Sequence, residues 1–318
     1  MTTDVLMSAV PAHYGDPLRE QRVLESSAGV IDRSDRGVLV VPGEDRLSWL
    51  HTICSQHVAD LADGESTEAL VLSPHGHVEQ HWQVTELSGT VWLDVEPGAA
   101  GDALAYLEKM RFLKRVEPAD VSADWAVLTV SGPSTGEVLR AASLPEAGAL
   151  PGGGFVRRTA RGADLIVPRT TASAVLDTLR AAGAAPVGML AFEALRVAAR
   201  RPRLGFETDH RTIPHEVGWI GVAVHLDKGC YRGQETVARV QNLGRPPRRL
   251  VLVHLSGESD VLPPPGTPVE LDGRSVGFLG TAAHHYELGP IALAVIKRTV
   301  PDDAPLSVAG APVAVDAD

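Results

Sequence analysis

The succession of strand-like and helix-like segments changes character near residue 245 of this 318-residue chain. Over residues 37–115, and again over 125–185, a buried strand, a helix, two strands and a second helix follow one another in the same loose order. After the linker-like residues 244–248 (GRPPR) only strand-like runs remain, and an Asp-Gly pair at 272–273 predicts a hairpin. The pattern predicts an α+β fold of two lobes, each an antiparallel sheet with helices on one face, and a small C-terminal β-barrel.

The length agrees with two or three domains of about 150 residues or fewer. We expect the two lobes to occupy residues 1–245, at about 1–120 and 121–245 with segments that could interleave, and the barrel to occupy 246–318. The longest apolar runs are far shorter than the ~20 residues that span a bilayer. The first ten residues lack the basic and apolar regions of a signal peptide. We therefore expect a cytoplasmic monomer with no membrane partner.

Charge and cysteine content exclude several kinds of site. The formal net charge is −11, so bulk charge does not attract nucleic acid and we expect no direct nucleic-acid partner. The two cysteines, Cys54 and Cys230, are too few for a disulfide framework or a four-cysteine zinc site. The histidines beside Cys54, and those over residues 75–81, are explained by ordinary surface positions as well as by ligation. We expect no metal site.

The segment KGCYRGQE at residues 228–235, called here the signature loop, concentrates unusual residues directly before a predicted helix. Gly229 and Gly233 would allow positive φ angles and a close approach of the backbone to a ligand. The neighbouring cations Lys228 and Arg232, together with the helix N-terminus, would lower the pKa of the Cys230 thiol. The loop is therefore either a site with a reactive or anion-facing cysteine, or a tight turn with a buried cysteine and a packed tyrosine.

Glu193 lies on the apolar face of a predicted helix, where a carboxylate needs a partner. It could accept two N–H bonds from a planar heterocycle. It could equally form an internal salt bridge with Arg196 or Arg200. The arginines over residues 196–203 could form a solvated face or bind the carboxylate tail of a ligand.

The signature loop and the following TVARV resemble the corresponding segment of the YgfZ family of folate-binding proteins, which are relatives of the glycine-cleavage T-protein, an aminomethyltransferase. Weaker similarities occur in the same order along nearly the whole chain. They comprise GVLVVPGEDRLSWLH from residue 37, EALRVAARRPRLGFETDHRTIPHE from residue 193, and GTPVELDGRSVGFLGTAAHHYELGPIALAVIKR from residue 266. The resemblance implies a three-lobed ring with a central channel that binds tetrahydrofolate.

The resemblance also implies roles for individual residues. Glu193 would meet the pterin, Trp219 would stack on it, and arginines including Arg196 would meet the glutamate tail. Cys230 matches the functionally important cysteine of the family. The resemblance implies that the side chains around it complete the site: Lys228, Tyr231, Arg232 and Gln234.

The sequence departs from the T-proteins at the acid that drives their one-carbon transfer. The matching positions here are Gln80 and His81, and Glu79 faces the opposite side of the strand from Gln80. A second acid is also missing over residues 55–58. We therefore expect a YgfZ-like folate-binding protein that assists the assembly or repair of iron–sulfur enzymes. Its partners would be those enzymes or their assembly proteins.

Two alternatives remain open on sequence grounds. The protein could be a one-carbon (aminomethyl) transferase in which Glu79, His81 or His57 replaces the missing acid. It could instead be a non-catalytic interaction module with a decayed folate pocket. Whether the chain is an enzyme is left undecided at this point.

Overall fold

The computed structural model describes residues 10–257 and 261–316. The helices are α1 (Pro17–Ser26), α2 (Arg46–Ile53), α3 (Ala100–Arg111), α4 (Thr135–Ala141), α5 (Ala172–Ala181), α6 (Met189–Ala198) and α7 (Gln234–Leu243), with 3-10 turns at Arg169–Thr171 and Pro214–Glu216. The first strands are β1 (Gly29–Asp32), β2 (Gly37–Pro42), β3 (Ser66–Leu72), β4 (Val78–Leu87), β5 (Thr90–Val95), β6 (Ala119–Asp120), β7 (Trp125–Ser131), β8 (Gly148–Ala149), β9 (Phe155–Thr159), β10 (Gly162–Pro168) and β11 (Ala185–Pro186). The remaining strands are β12 (Arg248–Leu255), β13 (Pro268–Leu271), β14 (Arg274–His285), β15 (Gly289–Lys297), β16 (Leu306–Val308) and β17 (Ala311–Val315).

The chain divides into two compact units. The first contains the described residues up to 51 together with 58–68 and 82–192, and the second contains residues 52–57, 69–81 and the described residues from 193 onward. Two short segments from the first third of the sequence therefore belong to the second unit. The predicted lobe boundaries near residues 120 and 245 stay predictions.

A six-stranded sheet in the first unit has the order β11-β1-β7-β10-β9-β8. Its pairs are antiparallel apart from the parallel pair β1–β11. Strand β7 is almost entirely buried: Ala126, Leu128 and Val130 on one face belong to the apolar core, and Thr129 on the other face is hydrogen-bonded to Asp164. Leu128 and Leu165 from the sheet pack with Leu139 of α4 and Leu179 of α5, so the helices cover this sheet as the sequence predicts.

The second sheet has the order β3-β4-β5-β2-β6, and β2 pairs with β5 in antiparallel register along its whole length. Trp49 of α2 is fully buried and its Nε1 donates a hydrogen bond to the carbonyl oxygen of Met110, 2.9 Å away. Helix α3 buries Ala103, Tyr106 and Leu107. Leu104 and Met110 of the same helix are half-buried.

Charged side chains are buried between strands of the first unit. The Arg157 guanidinium (β9) forms ion pairs with Asp94 (β5) and Asp164 (β10), with an Nη2–Oδ2 distance of 2.7 Å to Asp164. Arg36 Nε donates to Asp94 Oδ2 at 2.6 Å, and Thr129 Oγ1 donates to Asp164 Oδ1 at 2.6 Å. Although burial disfavours the charged form, the arginines hold the pKa of Asp94 well below its ordinary value. All four aspartate oxygens of this network have donors.

The C-terminal strands form a closed barrel in the order β12-β15-β14-β13-β16-β17, which confirms the predicted β-barrel. Val253, Leu279 and Ile296 are among the residues of its core. The pairing of β14 with β15 shifts register between Leu279 and Ala282, so this stretch of β14 contains a β-bulge. The last two strands, β16 and β17, were not foreseen from the sequence.

Helix α1 was also missed, although its sequence carries a start signal. Asp16 caps its N-terminus by accepting hydrogen bonds from the backbone amides of Leu18 and Arg19, and Pro17 occupies the first helical position. No helix in the described part of the chain has the length and apolar character needed to cross a membrane.

Candidate functional site

The signature loop packs against the turn between β3 and β4. Gly233 has φ +84°, and a Cβ atom there would lie 2.6 Å from the Ser73 carbonyl oxygen. A Cβ atom at Gly76 in that turn would lie 2.6 Å from the side chain of Thr236. Glycine is therefore required at both positions, since a side chain at either would force the two segments apart. The expectation for Gly229 is wrong, because its φ is not positive and the space around it is open.

Lys228 is buried and acts as a clamp inside the second unit. Its Nζ donates hydrogen bonds to the carbonyl oxygens of Cys54 (2.6 Å) and Gln56 (3.1 Å), and it lies 5.0 Å from the ring centroid of Tyr231. Burial lowers the pKa of Lys228 and raises that of Tyr231 to about 12. The ammonium thus joins the signature loop to the segment that follows α2.

Cys230 is exposed, whereas its neighbour Tyr231 is packed in an apolar cluster. Arg232 forms an ion pair with Glu79, with an Nη1–Oε2 distance of 2.9 Å, and Gln234 Nε2 donates to the carbonyl oxygen of Lys228 at 3.3 Å. Both cations that flank Cys230 in the sequence therefore have partners other than the thiol. The loop combines features of the two predicted alternatives, an accessible cysteine and a packed tyrosine.

Cys54 has the opposite environment. Its thiol is buried, donates to the carbonyl oxygen of Gln56 at 3.6 Å, and has a pKa raised by burial. The adjacent Ser55 donates from Oγ to the carbonyl oxygen of Ala223 (2.6 Å) and accepts from the amide of Leu70 (2.9 Å). Cys54 is therefore part of a tightly bonded structural segment.

Glu193 of α6 has one satisfied and one unsatisfied oxygen. Its Oε2 accepts from Arg196 Nη2 (2.8 Å) and pairs with Arg203 Nη1 (3.0 Å). Its Oε1 is buried and has no hydrogen-bond partner. Although burial disfavours the charged form, these two arginines hold the pKa of Glu193 below its ordinary value, so the group is a carboxylate at neutral pH.

The predicted internal salt bridge is found on Oε2 of Glu193, whereas acceptance of two N–H bonds from a heterocycle stays a prediction. Arg196 is the predicted salt-bridge partner, whereas Arg200 pairs instead with Asp316 at 3.2 Å. The buried Glu207, which the sequence analysis did not single out, stands behind the arginines. Its Oε2 accepts from Arg196 Nη1 at 3.2 Å. The only sequence signal for Glu207 was an acid placed among arginines, which does not by itself indicate burial.

Trp219 is only 3% exposed, and its ring centroid lies 4.9 Å from that of His81. It packs in the apolar cluster that also contains Tyr231 and Val237. The face of Trp219 that points toward His81 is therefore covered by an imidazole. Stacking of a ligand on Trp219 stays a prediction.

Both carboxylates of strand β4, those of Glu79 and Glu86, are held in ion pairs. Glu79 is committed to the ion pair with Arg232, and His81 packs against Trp219. Among the residues that the structure describes, there is no group of three or more histidine, cysteine or acidic side chains that could hold a metal ion.

Two protein-family models match parts of this chain. Residues 4–171 match the GCVT N-terminal domain, and residues 248–317 match the CAF17 C-terminal β-barrel domain. A chloroplastic protein of Arabidopsis thaliana, whose name marks it as a candidate transferase, is 26% identical over 284 residues, which are 82% of this chain and 65% of that protein. The chain therefore spans somewhat less than two thirds of the length of this relative.

Bacterial aminomethyltransferases align over more of their length. That of Geobacillus kaustophilus is 28% identical over 314 residues, covering 92% of this chain and 85% of the relative, and that of Chromobacterium violaceum is 28% identical over 262 residues, covering 77% and 72%. The crystal structure of the glycine cleavage system aminomethyltransferase T from Bartonella henselae has the same fold. It superimposes with a TM-score of 0.83 at 20% identity over 97% of this chain and 90% of that one. The chain belongs to the GCVT aminomethyltransferase-like family, and its C-terminal barrel matches the CAF17 barrel domain.

Proposed function

We propose that this protein binds a reduced folate, with the pterin ring recognised by Glu193, and that it assists iron–sulfur enzymes through Cys230. The observation that carries the folate half is the buried, ionised and unpaired Oε1 of Glu193. Buried polar atoms are nearly always hydrogen-bonded, so an orphan carboxylate oxygen calls for a donor from outside the chain. A pterin offers such donors in its 2-amino group and ring N–H.

The charge arrangement fits this ligand. A neutral heterocycle with N–H donors gains a charge-assisted hydrogen bond to Oε1 and brings no charge of its own into the site. Arg196 is engaged with Glu193 and Glu207, so we assign it the role of orienting the acid and not of binding the glutamate tail. Tetrahydrofolate, when bound, supplies the N5 and N10 atoms that carry one-carbon units.

Calorimetric titration of the protein with tetrahydrofolate, under reducing conditions, tests this half of the proposal. We expect binding by the unmodified protein and a loss of about 10- to 100-fold in affinity for Glu193→Gln, because an amide replaces an ionised acceptor. Glu287→Gln changes an exposed glutamate of the same unit and serves as the matched control. Equal affinities of Glu193→Gln and the control would contradict the role of Glu193, and no binding by the unmodified protein would contradict the folate proposal.

The iron–sulfur half depends on the exposed thiol of Cys230 in the signature loop. The clamp formed by Lys228 and the close contact at Gly233 hold this loop in place, so the thiol is presented from a fixed backbone. An accessible thiol can contact a partner protein or a cluster, whereas a buried thiol cannot. This part of the proposal extends the family resemblance to the chain's own cysteine.

A strain that lacks the protein provides the test. We expect Cys230→Ser to fail to restore the activity of iron–sulfur enzymes, while Cys54→Ala, which alters the buried thiol, restores it provided that the protein accumulates. Immunoblotting measures accumulation. Full restoration by Cys230→Ser would contradict the role of the cysteine.

Aminomethyl transfer by the T-protein mechanism is disfavoured by the state of the corresponding strand. Gln80 and His81 stand at the acid positions, and the nearby Glu79 is held by Arg232. Both oxygens of the Glu79 carboxylate accept hydrogen bonds from the Arg232 guanidinium, so this carboxylate is already engaged within the chain. We therefore propose folate binding without this transfer chemistry.

A further inference from the structure

The Glu193 carboxylate is supported from behind by a cluster that reaches into the C-terminal barrel. Glu207 is fully buried and shares Arg196 with Glu193. Its Oε2 accepts from the backbone amide of Arg203 at 2.7 Å and from Arg196 Nη1 at 3.2 Å. Glu207 therefore fixes both the guanidinium of Arg196 and the backbone of Arg203, the two arginines that hold Glu193.

The β-bulge of β14 supplies the other half of this support. At the register shift, the Thr281 amide donates to Glu207 Oε1 at 2.7 Å, and Thr281 Oγ1 accepts from Arg196 Nη2 at 2.6 Å. A regular strand alternates its side chains and directs its amides to neighbouring strands, whereas a bulge re-aims one residue. The bulge thus turns Thr281 toward the acid cluster.

Gly280 makes this arrangement possible. A Cβ atom at this position would lie 2.6 Å from Glu207 Oε1 and 2.8 Å from Glu207 Cγ. These separations are far below van der Waals contact, so any side chain at residue 280 would displace Glu207. The bulge and the buried acid therefore fit each other only with glycine there.

The cluster contains two cations, Arg196 and Arg203, and two carboxylates, Glu193 and Glu207. Three of the four carboxylate oxygens have donors within the chain, and the fourth is Oε1 of Glu193. The orientation of Oε1 is consequently set by the contacts of Glu193 with the arginines and by those of Arg196 and Glu207 with Thr281 of the barrel. Acceptors used for recognition must be held to within about 0.5 Å of their working position.

We propose that the Gly280–Thr281 bulge and Glu207 are positioning residues that aim Oε1 of Glu193. The barrel thereby sets the preference of the site for ligands with an N–H donor at this point, here the 2-amino edge of a pterin. This inference rests on the proposed function, since it assumes that Glu193 meets the pterin.

The test compares two ligands in each variant. Calorimetry gives the dissociation constants of tetrahydrofolate and of 2-desamino-2-methyl-tetrahydrofolate, which lacks the 2-amino donor. For the unmodified protein we expect tetrahydrofolate to bind at least about tenfold more tightly, because the analogue leaves Oε1 unpaired. The ratio of the two dissociation constants reports whether Oε1 of Glu193 is oriented toward the 2-amino group. A general loosening of the fold would weaken the binding of both ligands equally and would leave the ratio unchanged.

Thr281→Val removes the Oγ acceptor while keeping the shape of the side chain, and Gly280→Ala adds the clashing methyl group. We expect both variants to lower the ligand ratio by threefold or more toward unity. Gly257→Ala is the control, because this glycine of the same unit has open space around it and no positive φ. Thermal unfolding establishes that each variant is folded, and Thr281→Val remains decisive if Gly280→Ala does not fold.

The outcomes distinguish the proposed role of Glu193 in binding the pterin from the proposed role of the bulge and Glu207 in positioning it. Absence of tetrahydrofolate binding, or a ratio near one in the unmodified protein, would overturn the proposed role of Glu193. A ratio of tenfold or more that persists in folded Thr281→Val would leave that role intact and overturn the positioning inference. A ratio that falls in Thr281→Val but not in Gly257→Ala would support both.

Discussion

Each of the two units buries a cluster of arginines and carboxylates, and the clusters differ in one atom. In the first unit, Arg157 bridges Asp94 and Asp164, and every oxygen of both aspartates has a donor. In the second unit, Arg196 bridges Glu193 and Glu207, and Oε1 of Glu193 has no hydrogen-bond partner. The side chains of Arg157 and Asp94 are 3% and 2% exposed, whereas Glu193 is 15% exposed.

The difference separates a structural network from a recognition site. In a closed network, in which every carboxylate oxygen has a donor, the internal hydrogen bonds offset the free energy lost when the charges leave water. Removing one member leaves a buried charge uncompensated. In an open network, one oxygen is left without a donor and can bind a ligand. The free protein is less stable by the desolvation free energy of that oxygen. Buried charge alone therefore does not indicate function, whereas a buried ionised group with an unused oxygen does.

Breaking the closed network has the largest expected effect. Asp94→Asn removes a charge that pairs with Arg157 and Arg36, and we expect the free energy of unfolding to fall by about 3 to 5 kcal/mol. Denaturant unfolding measures it. Glu146→Gln, at an exposed pair with Arg140, is the control and should cost about 1 kcal/mol or less. Similar losses in both variants would contradict the distinction between buried and surface pairs.

The pH dependence of the free energy of unfolding is a second test of the contribution of Asp94 to stability. Its pKa is depressed in the folded protein, so its contribution is present above the ordinary aspartate pKa of 3.8 and is lost as the pH falls below that value. We expect the acid destabilisation below about pH 4 to be less steep in Asp94→Asn than in the unmodified protein. Parallel unfolding curves over this range would contradict the assignment.

The open network should respond in the opposite way. We expect Glu193→Gln to weaken tetrahydrofolate binding by about 10- to 100-fold while changing the free energy of unfolding less than Asp94→Asn does. The amide keeps an oxygen for the arginines, and the atom that recognises the ligand contributes no internal hydrogen bond. Denaturant unfolding of the two variants side by side measures this contrast. A larger loss of stability in Glu193→Gln would make the second cluster structural as well.

The two cysteines also differ in their accessibility to groups outside the chain. We expect one thiol, that of Cys230, to react rapidly with a disulfide reagent, and that of Cys54 to react at least about tenfold more slowly, since it must await local opening. Cys230→Ser should abolish the fast phase and Cys54→Ala the slow one. Two fast thiols would contradict the closed environment of Cys54.

The smallest expected effect concerns Tyr231 beside the Lys228 clamp. Burial raises the pKa of Tyr231 to about 12, so the stability that depends on its protonated form is complete below pH 10 and is lost as the pH rises toward 12. We expect Tyr231→Phe to reduce this alkaline loss by about 1 kcal/mol. Chemical unfolding at pH 8 and pH 11 measures it, with the exposed Tyr14→Phe as control. Equal alkaline losses in both variants would contradict the burial argument.

Much of the fold was accessible from local patterns. The α+β character of the first two thirds, the hairpin at Asp272 and Gly273 and the C-terminal barrel followed from periodicity and from Gly and Pro. Helix α1 was missed although Asp16 and Pro17 announce it. The last strands of the barrel were missed because each is three to five residues long, too short for a period to show.

The candidate site was predictable in its residues more than in their contacts. The sequence placed Lys228, Arg232 and Cys230 together and assigned the cations to the thiol. In the structure Lys228 clamps the backbone of residues 54 and 56, and Arg232 pairs with Glu79. Neighbours in sequence point in different directions in a loop, so their partners come from segments that only the fold brings near.

The sequence by itself determined the family, the α+β class with its terminal barrel, the presence of a motif cysteine and the missing acid at Gln80 and His81. These depend on residue identity and on short-range periodicity. The tertiary structure alone decided that Glu193 keeps one oxygen open, that Glu207 stands behind it and that a bulge at Gly280 and Thr281 supports both. The physical reason is that burial and hydrogen-bond completion depend on contacts between segments that lie 74 and 85 residues apart in the sequence, and no local pattern records whether their atoms meet.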